Sequence, residues 1–203
     1  MTTGGGPLEA IVLAAGAGRR FGGAKLSSPW RGGHLIDGAL AAAFAAPVHR
    51  VVLVTGADTA VEGAARAFVE ARGEAKRLVV VHASEYEAGL SASLRAGLAA
   101  VAAESRGAFV FLGDMPFVPL ELAATLADAL AGEVLAAAPV CHGRRGHPAL
   151  FTQALFNPLK DLRGDQGARS VLDGLGERLA LIETTDPGVL YDIDAPEDLD
   201  RLQ

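Results

Sequence analysis

At Ile11-Val12-Leu13-Ala14-Ala15-Gly16-Ala17-Gly18-Arg19-Arg20-Phe21-Gly22-Gly23-Ala24-Lys25 a short apolar run breaks into a glycine-rich loop carrying two arginines and a lysine. The run reads as a buried strand and the loop as a polyphosphate cradle. Glycines let backbone N–H groups approach phosphate oxygens, and the cations neutralise charge that backbone dipoles leave over. Two common phosphate loops each miss by one residue. G-x-x-x-x-G-K-[ST] fits at Gly18 and Gly23, but Ala24 intervenes before Lys25, and Leu26 stands where the hydroxyl should be. G-x-G-x-x-G fits at Gly16 and Gly18, but the third glycine falls at Gly22. A flexible surface turn with solvated cations is the bland alternative for the same residues.

The 203 residues suit one domain, expected over 9–203 and preceded by a loose tail at 1–8. The lone cysteine, Cys141, excludes an internal disulfide and any multi-cysteine zinc site. A net charge of −6 argues against a broad nucleic-acid surface. No apolar run reaches membrane-spanning length, and the first residues lack a signal peptide's basic start and apolar middle. A cytoplasmic protein without a membrane or nucleic-acid partner is therefore expected.

Downstream, apolar runs alternate with helical stretches. Helices are predicted over Asp37–Ala46, Asp58–Arg72, Ser91–Glu104 and Pro119–Ala131. Strands are predicted over Arg50–Thr55, Arg77–His82, Ala108–Leu112 and Val134–Val140, with a last one near Leu179–Glu183. This order indicates right-handed β-α-β crossovers and a mainly parallel sheet, an α/β fold. Past Val140 the pattern loosens into glycine, arginine and histidine, read as an insertion and lid across the carboxyl edge of the sheet.

Three further constellations bear on chemistry. Gly113-Asp114-Met115-Pro116 follows a strand, where ligands of open parallel sheets sit. Asp114 there is either a magnesium-binding carboxylate or a turn residue. In Tyr191-Asp192-Ile193-Asp194-Ala195-Pro196-Glu197-Asp198-Leu199, Asp192 and Asp194 share one side of an extended segment. Either could share a hard cation with Asp114, while Asp194 also suits a helix N-cap. Gly143-Arg144-Arg145-Gly146-His147-Pro148 and Gly164-Asp165-Gln166-Gly167-Ala168-Arg169 read as turns presenting cations to a second anion. Gly89 to Gly97 starts a helix that either offers Ser93 and its amides to a ligand or is ordinarily capped.

Together these stretches resemble the MobA-like NTP transferase family, most closely its molybdenum cofactor cytidylyltransferase branch. The family pattern L-A-A-G-x-S-x-R-M-G-x-x-K runs from Leu13 to Lys25, with Arg20 and Lys25 on its arginine and lysine. G-D-M-P is Gly113–Pro116, G-x-x-x-S-L-x-x-G is Gly89–Gly97, and R-G-H-P is Arg145–Pro148. G-D-x-G-A-R is Gly164–Arg169, and D-I-D-x-P-E-D-L is Asp192–Leu199. Six motifs occur in the family's order. The chain departs at Gly18 for serine, Phe21 for methionine, Ala24 for proline, Ala83 for asparagine and Leu90 for methionine.

The resemblance implies a three-layer Rossmann-like nucleotidyltransferase fold and transfer of CMP from CTP to the phosphate of molybdopterin or molybdenum cofactor. Arg20 and Lys25 would be catalytic. Leu13, Ala14, Ala15, Gly16, Gly18, Ser93 and Gly97 would bind nucleotide, and Asp114 and Asp194 would hold Mg2+. Arg145, Gly146, His147, Pro148 and Arg169 would bind the acceptor, a pterin phosphate, with a molybdoenzyme or its chaperone as macromolecular partner. Ala15, where guanylyl-transferring relatives tend to carry glycine, favours CTP. A different NTP or acceptor, an NAD(P)-dependent oxidoreductase and a non-catalytic nucleotide carrier are the rival readings. The oxidoreductase would need an acidic ribose-binding residue where Thr55-Gly56 stand.

Overall fold

The computed structural model describes residues 6–165 and 167–200. Its first strand, β1 (Leu8–Ala14), is buried at every position, as a strand covered on both faces must be. A small antiparallel pair follows, β2 (Pro29–Trp30) and β3 (Gly33–His34), and then α1 (Ile36–Ala45), β4 (Val51–Thr55), α2 (Val61–Ala71) and β5 (Leu78–His82). Next come α3 (Leu90–Ala100), β6 (Gly107–Leu112), α4 (Leu122–Asp128) and β7 (Ala136–Cys141). The chain closes with β8 (Arg144–Arg145), β9 (Ala149–Thr152), α5 (Phe156–Lys160), α6 (Arg169–Asp173), β10 (Leu179–Glu183) and α7 (Pro196–Asp200).

One sheet runs in the order β10-β7-β9-β6-β1-β4-β5, with β8 paired to β7. β1 lies parallel to both β4 and β6, so successive crossovers leave it in opposite directions. That reversal opens a crevice beyond the strand ends. The register sets Ala14 beside Thr55 and Leu13 beside Leu112. The loops after β1, β4 and β6 therefore emerge together.

Alternation along β1 divides the core. Ala10, Val12 and Ala14 face a cluster with α1, α2 and α4, whereas Ile11 and Leu13 face one with α3, α5 and α6. The result is the expected three-layer α/β architecture. Among the described residues no helix is long and apolar enough to cross a membrane.

Three sequence expectations change. Leu8 does not belong to a tail: it opens β1 and is buried, while residues 1–5 of that tail lie outside the described residues. α3 ends at Ala100, not Glu104, because Val101 turns extended. The region after Val140 is not wholly a lid. β8 folds back on β7, and β9 enters the sheet antiparallel between β6 and β7. Ala149, Leu150 and Phe151 are all buried; four residues behind Pro148 carry too little periodicity to announce a strand. At the carboxyl edge the Ser91 amide donates to the Gly164 carbonyl at 3.1 Å, and the Ile193 amide to the Asp114 carbonyl at 2.9 Å.

The charged exception in β1 is Glu9, 0% exposed. Its Oε1 accepts from Ser105 Oγ at 2.7 Å, the Ala102 amide at 3.1 Å and Arg50 Nη2 at 3.0 Å. Such a carboxylate is tolerated because it is paired and hydrogen-bonded. It also satisfies the backbone where α3 has ended. Glu9→Ala should destabilise the fold by about 3 kcal/mol, since a buried amide and hydroxyl lose their acceptor. Urea unfolding of the wild type and variant checks this, and a loss below about 1 kcal/mol would deny the anchor.

Candidate functional site

The loop after β1 turns because its backbone enters the left-handed region at Gly18, Gly22, Gly23 and Ala24. Amides of Phe21 and Gly23 both donate to the Gly18 carbonyl, at 2.9 and 3.1 Å. A Cβ on Gly18 would lie 3.0 Å from the Lys25 Cβ, so the turn brings Lys25 back over the strand end. Ser27 Oγ then donates to Asp58 Oδ2 at 2.7 Å, and the Ala57 amide to the Ala15 carbonyl at 3.2 Å. These contacts tie the loop to the connection after β4.

Lys25 is the centre of the site. Its Nζ donates to Asp114 Oδ2 at 2.8 Å and to the Ile193 carbonyl at 2.7 Å, with Asp194 Oδ1 at 3.8 Å. Arg20 pairs with the other oxygen of Asp194. Lys25 is only 11% exposed and Asp114 28%, whereas Asp194 at 46% and Arg20 at 80% lie toward solvent. Asp114 is placed by the turn after β6, where the Gly113 amide donates to the Leu13 carbonyl at 2.9 Å. The Ile193 amide donates to the Asp114 carbonyl at 2.9 Å, bringing the segment before α7 alongside.

Asp194 does not spend its carboxylate on capping. Asp198 Oδ2 instead reaches back to the amides of Asp194 and Ala195, at 3.0 and 2.9 Å, the backward half of a capping box. The Asp194 side chain is thereby left to Arg20 and Lys25. Asp192, exposed two residues earlier, is not among the partners of that pair.

A cleft of about 390 Å³ opens beside Lys25 and Asp114, walled by Ala15, Gly16, Gly18, Tyr86, Leu90 and Ser93. Leu13 lines it too, but Ala14 is buried on the other face of β1 and does not. Gly97 stands elsewhere. A Cβ there would meet Ile11 Cγ2 at 2.6 Å, so this glycine permits close packing of α3 on the sheet and does not line the cleft. Asp165 of the G-D-x-G-A-R turn lines the cleft, and so does Tyr86, which stands in no motif. No local pattern marks Tyr86, which reaches the site from a single 3-10 turn.

A second cavity of about 210 Å³ adjoins the first through Leu13, Leu90 and Leu112. Its wall is largely apolar, with Arg145, Gly146, His147 and Arg169 as its polar or glycine positions of interest. Arg145 is ion-paired to Asp173 of α6 at 2.6 Å. Pro148 is buried beside His147 and does not line the cavity, and Gln166 lies outside the described residues. His147 Nδ1 is sealed from solvent with no hydrogen-bond partner among the described residues. Burial lowers the pKa of this histidine below its ordinary value. It outweighs the ring's backbone hydrogen bond at Val110 and the charges of Asp114 and Asp192, all of which raise it. The ring is neutral near pH 7 and offers a hydrogen bond, not a positive charge.

Asp114 and Asp194 are the candidate holders of a divalent cation. Among the described residues no group of three or more His, Cys, Asp and Glu could hold a metal. Yet Asp114 Oδ2, the Ile193 carbonyl and Asp194 Oδ1 already converge on one cation, the Lys25 ammonium. Two carboxylates completed by phosphate oxygens suit magnesium-type sites, so the residues fit.

Residues 10–180 match the MobA-like NTP transferase domain. Purine catabolism protein PucB of Bacillus subtilis (strain 168) is 32% identical over 201 residues, covering 97% of this chain and 96% of that protein. Nicotine blue oxidoreductase of Paenarthrobacter nicotinovorans is 31% identical, covering 95% and 94%. Molybdenum cofactor cytidylyltransferase of Escherichia coli (strain K12) is 26% identical, covering 94% and 93%. Among solved structures, a manganese complex of Rv0371c from Mycobacterium tuberculosis H37Rv superposes with TM-score 0.72 at 27% identity, covering 97% of each chain. A nucleotidyl transferase from Methanothermobacter thermautotroptrophicus shares the fold with TM-score 0.77 at 24% identity, covering 98% and 96%. With a glycine-rich loop, a cation pair and facing carboxylates in one crevice, the chain belongs to the MobA-like NTP transferase family.

Proposed function

We propose that this nucleotidyltransferase moves CMP from CTP to the phosphate of molybdopterin or molybdenum cofactor and releases pyrophosphate. The observation that carries the reading is the joining of Arg20, Lys25, Asp114 and Asp194 at the mouth of a cleft that adjoins a second cavity. A carrier needs a phosphate loop, but it does not need two carboxylates facing that loop's cations.

The acceptor phosphate is largely ionised at neutral pH, with a second pKa of about 6, and is itself the nucleophile. No side chain has to remove its proton. The chain's task is alignment and charge stabilisation. Loop amides from Gly16 to Gly18 cradle the triphosphate, and Lys25 and Arg20 neutralise charge on the α-phosphate and the departing pyrophosphate. Asp114 and Asp194 are the residues that would hold Mg2+, which when bound supplies charge neutralisation on phosphate oxygens.

Ala15 stands on the cleft wall where guanylyl-transferring relatives tend to carry glycine, which supports CTP. In the second cavity Arg145 and Arg169 supply positive charge for the acceptor, while His147 supplies an uncharged hydrogen-bonding edge. The oxidoreductase reading is the weaker one. β4 ends in Thr55-Gly56, and the carboxylate of Asp58 is engaged by Ser27 and the Ala60 amide.

Pyrophosphate release, measured with each NTP and Mg2+ in the presence and absence of molybdenum cofactor, tests the reading. CTP-dependent release that needs the acceptor and stops on chelation of the metal is expected. Release with another NTP would move the base preference, and no release with any NTP and intact acceptor would reject this acceptor. Lys25→Met and Asp114→Asn should each lower kcat by about 10²–10³-fold while shifting Tm by less than about 4 °C. Equally large unfolding losses would reassign both residues to the core.

His147 predicts a pH effect on stability. Unfolded, it protonates near its ordinary pKa of about 6.5; folded, it stays neutral to lower pH. The unfolded state therefore binds the extra proton, and stability falls as pH drops from about 6.5 toward the lowered folded value. His147→Gln should flatten that acid-side fall in urea titrations at successive pH values. An unchanged slope would show that the ring is not held neutral.

A further inference from the structure

We infer that Lys25 is a resident counter-ion which keeps the Asp114–Asp194 pair from taking a divalent cation until a nucleoside triphosphate draws its ammonium away. The inference rests on the proposed metal role of those two carboxylates and adds a rule for when they become available.

Three oxygens from two parts of the chain converge on Lys25 Nζ: Asp114 Oδ2 at 2.8 Å from the turn after β6, and the Ile193 carbonyl at 2.7 Å and Asp194 Oδ1 at 3.8 Å from the segment before α7. Carboxylates plus a backbone carbonyl form a donor set of the kind hard cations take. The ammonium thus stands where such an ion would compete. Arg20 completes the balance on the outer oxygen of Asp194. With two cations and two carboxylates, the cluster carries no net charge as it stands.

From that balance the order of events follows. A divalent cation arriving alone must expel an ammonium that is nearly buried, leaving Lys25 and Arg20 without anionic partners beside the new charge. A triphosphate arriving alone offers both cations better-charged partners but faces two bared carboxylates. Arriving together, the phosphates receive Lys25 and Arg20 while the metal receives Asp114 and Asp194. Each ligand removes the cost the other would bear, so their binding free energies are coupled, and the coupling is reciprocal. Lys25 is suited to this exchange because the loop that carries it also walls the triphosphate cleft.

The test is Mn2+ binding, followed by loss of the free-ion EPR signal, with no turnover required. Nucleotide-free wild type should bind Mn2+ weakly, and α,β-methylene-CTP should tighten it by about 10–100-fold. Mn2+ should tighten the analogue by the same factor. Lys25→Gln should bind Mn2+ at least about tenfold more tightly than wild type without nucleotide, and should show a smaller coupling factor. Lys25→Met serves as a second variant should Lys25→Gln misfold by circular dichroism. Nucleotide-free Mn2+ affinity in the lysine variants equal to or weaker than wild type would overturn the inference, as would micromolar Mn2+ binding to the nucleotide-free wild type. Asp114→Asn separates the two claims. Its loss of Mn2+ binding, set against unchanged affinity in the lysine variants, would leave the metal site standing and remove the gate. Wild-type Mn2+ affinity in Asp114→Asn would remove both.

Discussion

The ammonium of Lys25, held between Asp114 and the Ile193 carbonyl, is the contact on which the crevice depends. It joins the first loop of the chain to the turn after β6 and to the segment before α7. Partial burial gives the contact its weight: with Lys25 11% exposed, the charges are screened less than a surface pair would be. Arg20 and Asp194, farther out, add charge complementarity but little rigidity.

That arrangement is possible only because β1 lies in the middle of the sheet with parallel neighbours on both sides. The strand can be apolar at every position but one because helices cover both faces, and that one, Glu9 at the opposite end, is neutralised by Arg50 and hydrogen-bonded by Ser105 and a backbone amide. The two ends of β1 thus use charge differently. Glu9 is fully buried and serves the fold, whereas Lys25 and Asp114 are paired, partly exposed, on the wall of the cleft. The second cavity extends the same logic. Its apolar wall keeps His147 neutral, so positive charge there comes from Arg169 and from Arg145, the latter balanced by Asp173.

Local pattern carried much of this. Glycine spacing marked the loop, and the aspartates at 114 and 194 were marked by lying just past a strand and just before a helix. What local pattern could not decide was competition between partners. Asp194 suited a helix cap as well as a ligand; in the structure Asp198 reaches back to the cap amides and the Asp194 carboxylate pairs with Arg20. Gly97 sat in a functional motif yet proved to be a packing glycine under Ile11 and Val54. Tyr86 carried no signal, because a lone aromatic in a short turn looks alike whether it meets solvent or a cleft.

The sequence by itself determined the alternation of strands and helices, the phosphate-loop chemistry and the family resemblance, because periodicity, glycine placement and residue order are properties of neighbours along the chain. Only the tertiary structure decided that β9 enters the sheet between β6 and β7, that Glu9 and Arg50 pair, and that Lys25 meets Asp114 and Asp194. Those contacts span dozens of residues. They exist because burying both faces of the sheet fixes strand order and register, and with them which loop ends share the crevice.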